Sequence, residues 1–234
     1  MMKTAGLIGG VAWPSTLSYY RLLNEHIQRE LGGLHSARCV IVSLDFAGVV
    51  AAMTEGRRDD ARAQMETAAR QARAAGAELI AILANTGHFA ADAVQAAAGV
   101  PLVHVARETG DEIASRFPSM RRLGLLATSF ALDAPFFGQM LGEGAGFELV
   151  LPDAAQRRTL DAAIFGPLAR GEASPADAAV ISTLCNALVA RGAQGIVLGC
   201  TELSAVKPWI ACAAPLFDST DIHARAIVRE MTRA

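Results

Sequence analysis

Gly192-Ala193-Gln194-Gly195-Ile196-Val197-Leu198-Gly199-Cys200-Thr201-Glu202 carries the pattern of a buried strand ending in reactive side chains. A Gly-Ala pair ends a helical pattern. An apolar run of strand length follows, and the run stops in small polar residues. The same order of residue types stands 116 positions earlier, in Gly76-Ala77-Glu78-Leu79-Ile80-Ala81-Ile82-Leu83-Ala84-Asn85-Thr86. Gly6-Leu7-Ile8-Gly9-Gly10 matches Gly124-Leu125-Leu126-Ala127-Thr128 at an offset of 118. Pro101-Leu102-Val103-His104 matches Pro215-Leu216-Phe217-Asp218 at 114. Three matches, in one order, at offsets close to half of 234 residues read as an internal duplication.

Further out from these runs, apolar strands at 5–9, 39–44, 79–83, 101–105, 123–126, 196–198 and 216–217 alternate with helical patterns at 15–31, 59–75, 176–190 and 222–231. Ser15 or Thr16 offers a cap for the first helix and Gly32-Gly33 a stop. Apolar strands between amphipathic helices indicate parallel sheets covered on both faces. The expected fold is α/β: two pseudo-symmetric, Rossmann-like (flavodoxin-like) parallel-sheet domains, with the site in the cleft between them. The expected domains are 1–107 with a C-terminal return at 215–234, and 108–214.

Composition narrows the function. Hydrophobic residues make up 52% and charged residues 19%, enough for a large core and too apolar for disorder. A formal net charge of -2 leaves no basic footprint for nucleic acid or an anionic membrane. No run approaches the roughly 20 apolar residues of a membrane span, and Met1-Met2-Lys3-Thr4 lacks a signal-peptide pattern. Cys39, Cys185, Cys200 and Cys212 are too few and scattered for a disulfide framework or a zinc knuckle, so a reducing cytoplasm is expected. Gly6 to Gly10 lacks the fingerprint of a nucleotide loop. His26, His35 and His223 show no metal-ligand spacing, so no metal is expected.

Ligands of open parallel sheets bind outside the carboxyl ends of the strands. Those ends carry Gly9-Gly10, Ala84-Asn85-Thr86 and His104 in one half, and Thr128-Ser129, Cys200-Thr201-Glu202 and Asp218 in the other. Such groups suit a small polar molecule. Cys200 precedes a helix start, where a positive dipole end lowers a thiol pKa toward neutrality. It can act as general acid or base, as a nucleophile, or simply as a small buried hydrophobe. His88 and His104 either reach the ligand or serve as structural histidines. The Arg57-Arg58-Asp59-Asp60 cluster reads as a solvated helix start, and Trp13-Pro14 as part of a loop covering the cleft.

With these residues in view, the chain resembles the aspartate/glutamate racemase family, cofactor-independent bacterial amino-acid racemases, over nearly its whole length. The likeness is carried by Gly6-Leu7-Ile8-Gly9-Gly10, Trp13, Ser15-Thr16, Tyr19-Tyr20-Arg21-Leu22, Gly32-Gly33-Leu34-His35-Ser36-Ala37 and Asp45-Phe46. It continues through Asn85-Thr86-Gly87-His88, His104, Thr128, Ile164-Phe165, Gly199-Cys200-Thr201-Glu202-Leu203 and Asp218. The resemblance implies two strand-end acid/base residues flanking the substrate's α-carbon, one per face, usually both Cys and in some members Thr at the first. It implies that Cys200 is the second of them. Asn85, Thr86, Thr128 and Thr201 would hold the α-carboxylate or amino group, and Glu202 the thiol's surroundings or the ammonium. Val11 and Met53 complete the substrate-binding set. A homodimer and the absence of any cofactor are implied as well.

Three positions depart from the family pattern. Ala84 stands at the first acid/base position and cannot carry a proton. Met53 stands where relatives often have a polar side chain, and Thr159 where Lys is expected. The expected function is therefore a racemase or epimerase of amino acids or related carboxylates, altered or one-sided in activity, with a neutral or apolar substrate. The alternatives are a single-cysteine decarboxylase or isomerase of the same superfamily, or a catalytically impaired small-molecule binder.

Overall fold

Every residue of the first strand, β1 (Ala5–Gly9), is buried, as a central parallel strand requires. The computed structural model describes residues 1–133 and 137–233. After β1 come α1 (Trp13–Leu31), β2 (Cys39–Ser43), α2 (Phe46–Thr54), α3 (Arg58–Ala74) and β3 (Leu79–Ile82). A 3-10 turn (Thr86–Ala90), α4 (Ala91–Ala98) and β4 (Leu102–Val103) complete the first sheet, whose order is β2-β1-β3-β4. Then follow α5 (Val105–Arg116), β5 (Arg122–Leu126), α6 (Ser129–Asp133), a π-helical segment (Gly138–Gly144), β6 (Glu148–Val150), α7 (Ala154–Phe165) and α8 (Pro175–Ala190). The chain ends with β7 (Gly195–Leu198), α9 (Thr201–Val206), β8 (Leu216–Asp218) and α10 (Ser219–Thr232). The second sheet runs β6-β5-β7-β8, the same order as the first, and every pairing in both sheets is parallel.

The matching strands also share a packing device. Gly6 on β1 pairs with Ile80 on β3, and Gly124 on β5 pairs with Ile196 on β7. At each glycine a Cβ would collide with the Cδ1 of the paired isoleucine. Both halves thus leave the same hole in the same strand and fill it with the same side chain.

The chain forms two compact units, Val105–Ile222 and the remainder: Met1–His104 together with the chain from His223 on. The expected return at 215 comes later because Leu216–Asp218 pairs with β7 and belongs to the second sheet. Helix α1 starts at Trp13, so Trp13-Pro14 is helix rather than loop. Pro14, with no N–H to satisfy, suits the first turn. Thr16 is not its cap. Its hydroxyl accepts the N–H of Gly10 at 2.9 Å, tying the β1–α1 turn down from inside the helix. The expected stop holds, since α1 ends at Leu31 and Gly32 and Gly33 both take positive φ. The solvated helix start is also present: Arg57 pairs with Glu55 and Asp60. Capping boxes at Asp153 with Gln156, and at Ser174 with Asp177, set the starts of α7 and α8.

Candidate active site

Parallel register places equivalent residues at the strand ends of each unit. In the first, Ile8 pairs with Ile82, so Gly10 and Ala84 each stand two residues past a paired position. In the second, Leu126 pairs with Leu198, so Thr128 and Cys200 do the same. Gly10 must be glycine: its φ is +81°, and a Cβ would strike the backbone of Leu44.

The first unit presents uncharged groups. Val11 and Ala84 belong to one buried apolar cluster, against which Leu44 and Phe89 pack. Leu44, Phe89 and Met53 pack in turn against Val49, Ala52 and Ala61. Asn85 is buried and Thr86 half-buried. Behind them lies a set of aromatic rings. His88 Nδ1–H donates to the carbonyl of Ala84 at 3.0 Å. The His88 ring meets His104 edge-on at 4.6 Å between centroids and His223 at 5.7 Å. His223 Nε2–H donates to Val103 O at 2.9 Å, which leaves Nδ1 to accept the Tyr19 hydroxyl, also at 2.9 Å. Burial, reinforced by the neighbouring histidines, holds His88 well below the usual imidazole range and His223 at about 4. His88 and His223 are therefore neutral near pH 7.

The second unit presents acids and a thiol. Cys200, in extended backbone before α9, donates its S–H to Glu202 Oε2 at 2.8 Å. The Thr201 hydroxyl donates to the same oxygen at 2.9 Å, so Glu202 is engaged rather than solvated. Burial pushes the Cys200 thiol well above its usual range, with the charges of Glu202 and then Asp161 adding to the effect. The expected lowering by a helix dipole is thus overturned. Helix α9 has only six residues, and a carboxylate faces the sulfur. Cys185, buried in α8, is pushed up to about 12, chiefly by burial, and has the character of packing material.

Asp161 escaped the sequence reading. It accepts the Ser129 N–H at 3.0 Å, beside Thr128, from the interior of α7, where no motif marks it. Thr159, two residues earlier on the same helix, is exposed and spends its hydroxyl on Ala155 O. Thr128 is buried and its Oγ1 accepts the N–H of Ala131. Asp218 accepts from Ser204 Oγ at 2.8 Å and from the Thr220 N–H at 3.1 Å, with Lys207 Nζ at 3.7 Å. It serves as a cap for α10 as much as a strand-end acid.

Comparison with known proteins follows the same lines. The family model described as Asp/Glu/hydantoin racemase matches residues 8–227. The chain is 35% identical to a candidate Asp/Glu racemase from Yersinia pestis of known crystal structure. That match covers 99% of this chain and all of the other, with a TM-score of 0.89. An aspartate racemase homologue from Pyrococcus horikoshii OT3 is 30% identical over the full length of both chains, with a TM-score of 0.83. The broad specificity amino-acid racemase RacX of Bacillus subtilis (strain 168) is 29% identical over 155 residues, or 65% of this chain. That match spans 64% of the length of RacX. With both sheets and the matched span in agreement, the chain belongs to the Asp/Glu/hydantoin racemase family, a family of isomerases.

Proposed function

We propose that the chain is a cofactor-independent amino-acid racemase or epimerase in which Cys200 moves the α-proton on one face and no side chain does so on the other. The observation that carries this reading is the buried Cys200 thiol donating to Glu202 at a strand end. A protonated thiol starts as an acid. The positive ammonium of an arriving amino acid favours the thiolate, so Cys200 passes its proton to Glu202 and then takes the Cα proton. The electron pair left on Cα spreads into the α-carboxylate, and the resemblance assigns the binding of that carboxylate or of the amino group to Asn85, Thr86, Thr128 and Thr201. Return of the proton from the same sulfur restores the starting enantiomer. Inversion requires a donor on the other face, and Ala84 has none. His88 has its Nδ1–H committed to the Ala84 carbonyl, so water delivers that proton, slowly.

The substrate in this reading has a neutral side chain. Val11, Met53 and Ala84 are apolar, and Asp161, Glu202 and Asp218 bring negative charge to the second set of strand ends. These carboxylates favour an ammonium and oppose a second carboxylate. A homodimer is part of the reading.

The test is carried out in D2O, with α-deuterium incorporation followed separately for L and D forms of neutral amino acids. Exchange in at least one enantiomer is expected to outpace inversion, and Ala84→Cys is expected to raise inversion relative to exchange at least tenfold, or about 1.4 kcal/mol. No exchange in either enantiomer across the panel overturns the reading. Ala84 also favours a second reading, a single-thiol decarboxylase or isomerase. Turnover of arylmalonate or maleate that disappears in Cys200→Ala would support it. Ligand-dependent melting shifts without exchange or turnover would instead mark a non-catalytic binder.

A further inference from the structure

Cys185 and Cys212 are 27 positions apart in sequence, and the fold brings them together. Cys185 sits on the buried side of α8, and Cys212, half-buried, packs against the same core from the segment between α9 and β8. That segment is strapped to α8 on both sides of Cys212. The Ala211 N–H donates to Ser182 Oγ at 2.9 Å, and Asn186 Nδ2–H donates to the Ala211 carbonyl at 2.9 Å. The Ala213 N–H donates to Asn186 Oδ1 at 3.2 Å. Ser182 and Asn186 stand three residues before Cys185 and one after it, so all three share one side of the helix. The Ala214 N–H donates to Cys212 Sγ at 3.4 Å, which fixes where that sulfur lies. The two sulfurs are neighbours: after burial, it is Cys212, by charge and then by a hydrogen bond between the side chains, that keeps Cys185 protonated.

We infer that Cys185 and Cys212 form an oxidation site, which a hydroperoxide closes to a reversible disulfide. Half-buried Cys212 meets the oxidant. Its sulfur attacks one peroxide oxygen and the O–O bond breaks. The sulfur becomes a sulfenic acid, and the other oxygen leaves as water or an alcohol, taking the Cys212 thiol proton. The Cys185 sulfur then attacks the sulfenic sulfur. The S–O bond breaks, and the hydroxyl leaves as water with the Cys185 thiol proton. Two thiols give two electrons to one peroxide, and one S–S bond remains. Cys200 rests as a protonated thiol hydrogen-bonded to Glu202, so the pair is oxidised before it. The ring so closed runs through β7, Cys200-Thr201-Glu202 and α9. The bridge therefore ties down the segment that carries the reactive thiol without consuming that thiol. The site stands apart from the reaction proposed above.

Hydrogen peroxide is the probe, added in excess to the full chain, with free thiols counted in denaturant and the peptides mapped by mass. The count is expected to fall from four to two, with Cys185 and Cys212 in one linked peptide pair and Cys39 and Cys200 free. Dithiothreitol is expected to restore all four. The melting temperature of the oxidised chain is expected to rise by about 5 °C, because the bridge removes freedom from the unfolded chain. Cys212→Ser is expected to abolish both the link and the rise. In Cys185→Ala, Cys212 is expected to go on to the sulfinic acid, since no thiol intercepts it. A count that stays at four, a link between other cysteines, or loss of Cys200 ahead of the pair overturns the site. So does a rise in melting temperature that survives Cys212→Ser.

Discussion

Ala84-Asn85-Thr86 follows β3, the third strand in the order of the first sheet. Cys200-Thr201-Glu202 follows β7, the third in the order of the second. The frames beneath them agree in strand order, in register and in the glycine–isoleucine contact at Gly6 and Gly124. The chemistry at the ends diverges. One end is uncharged and backed by the neutral rings of His88 and His223; the other carries a thiol held protonated by burial and, after it, by a carboxylate. Core positions are held to a volume and a shape, because a misplaced methyl is felt throughout a close-packed interior. Strand-end side chains lie beyond the paired ladder, so a duplicated fold keeps its sheet packing while its two ends take up different chemistry.

The sharpest way to break this contrast is to remove the thiol. Cys200→Ala is expected to lower α-proton exchange about 10³-fold, near 4 kcal/mol of transition-state stabilisation. Cys185→Ala, at the other buried cysteine, is expected to leave exchange unchanged in the same NMR assay. Equal losses in the two variants would mean that the effect is packing and that the two ends do not differ in role.

Acid tests the histidine side. His223 is held at about 4 in the folded chain, against about 6.5 when unfolded. Between those values the unfolded chain binds the extra proton. Stability is therefore full above pH 6.5 and falls as pH drops toward 4, by on the order of 3 kcal/mol for this residue alone. Urea midpoints measured from pH 7 to pH 4 check the slope, and His223→Gln is expected to flatten it. Activity lost in step with folding over that window would assign the histidines to support of the Ala84 segment.

The smallest effect probes the shared frame. At Gly6 a Cβ would meet the Cβ atoms of Ala77 and Ala72 at 2.8 and 2.9 Å, and these cannot move without the backbone. At Gly124 the closest obstacles are the ends of the Ile196 and Leu188 side chains, which can rotate. Gly6→Ala is expected to cost about 3 kcal/mol and Gly124→Ala about 1 kcal/mol by urea unfolding. Equal costs would show that the two frames are equally rigid.

The two sheets, most strand positions and the residues standing at the strand ends were legible in the amino-acid order. Those features follow from local apolar runs and from glycines spaced along the chain. That order did not disclose β6, whose three residues include the exposed Glu148, nor α2, α4, α5 and α7. Such short or mixed-polarity segments acquire their structure from the sheet they pack on. Folding settled that Cys200 rests as a thiol and that His88, His104 and His223 share one buried cluster. Tyr19 and His223, which hydrogen-bond, are 204 positions apart, and the thiol's proton is retained chiefly through loss of water, to which the nearby Glu202 adds. Burial is a property of the assembled chain, and the chemistry of these groups depends on burial.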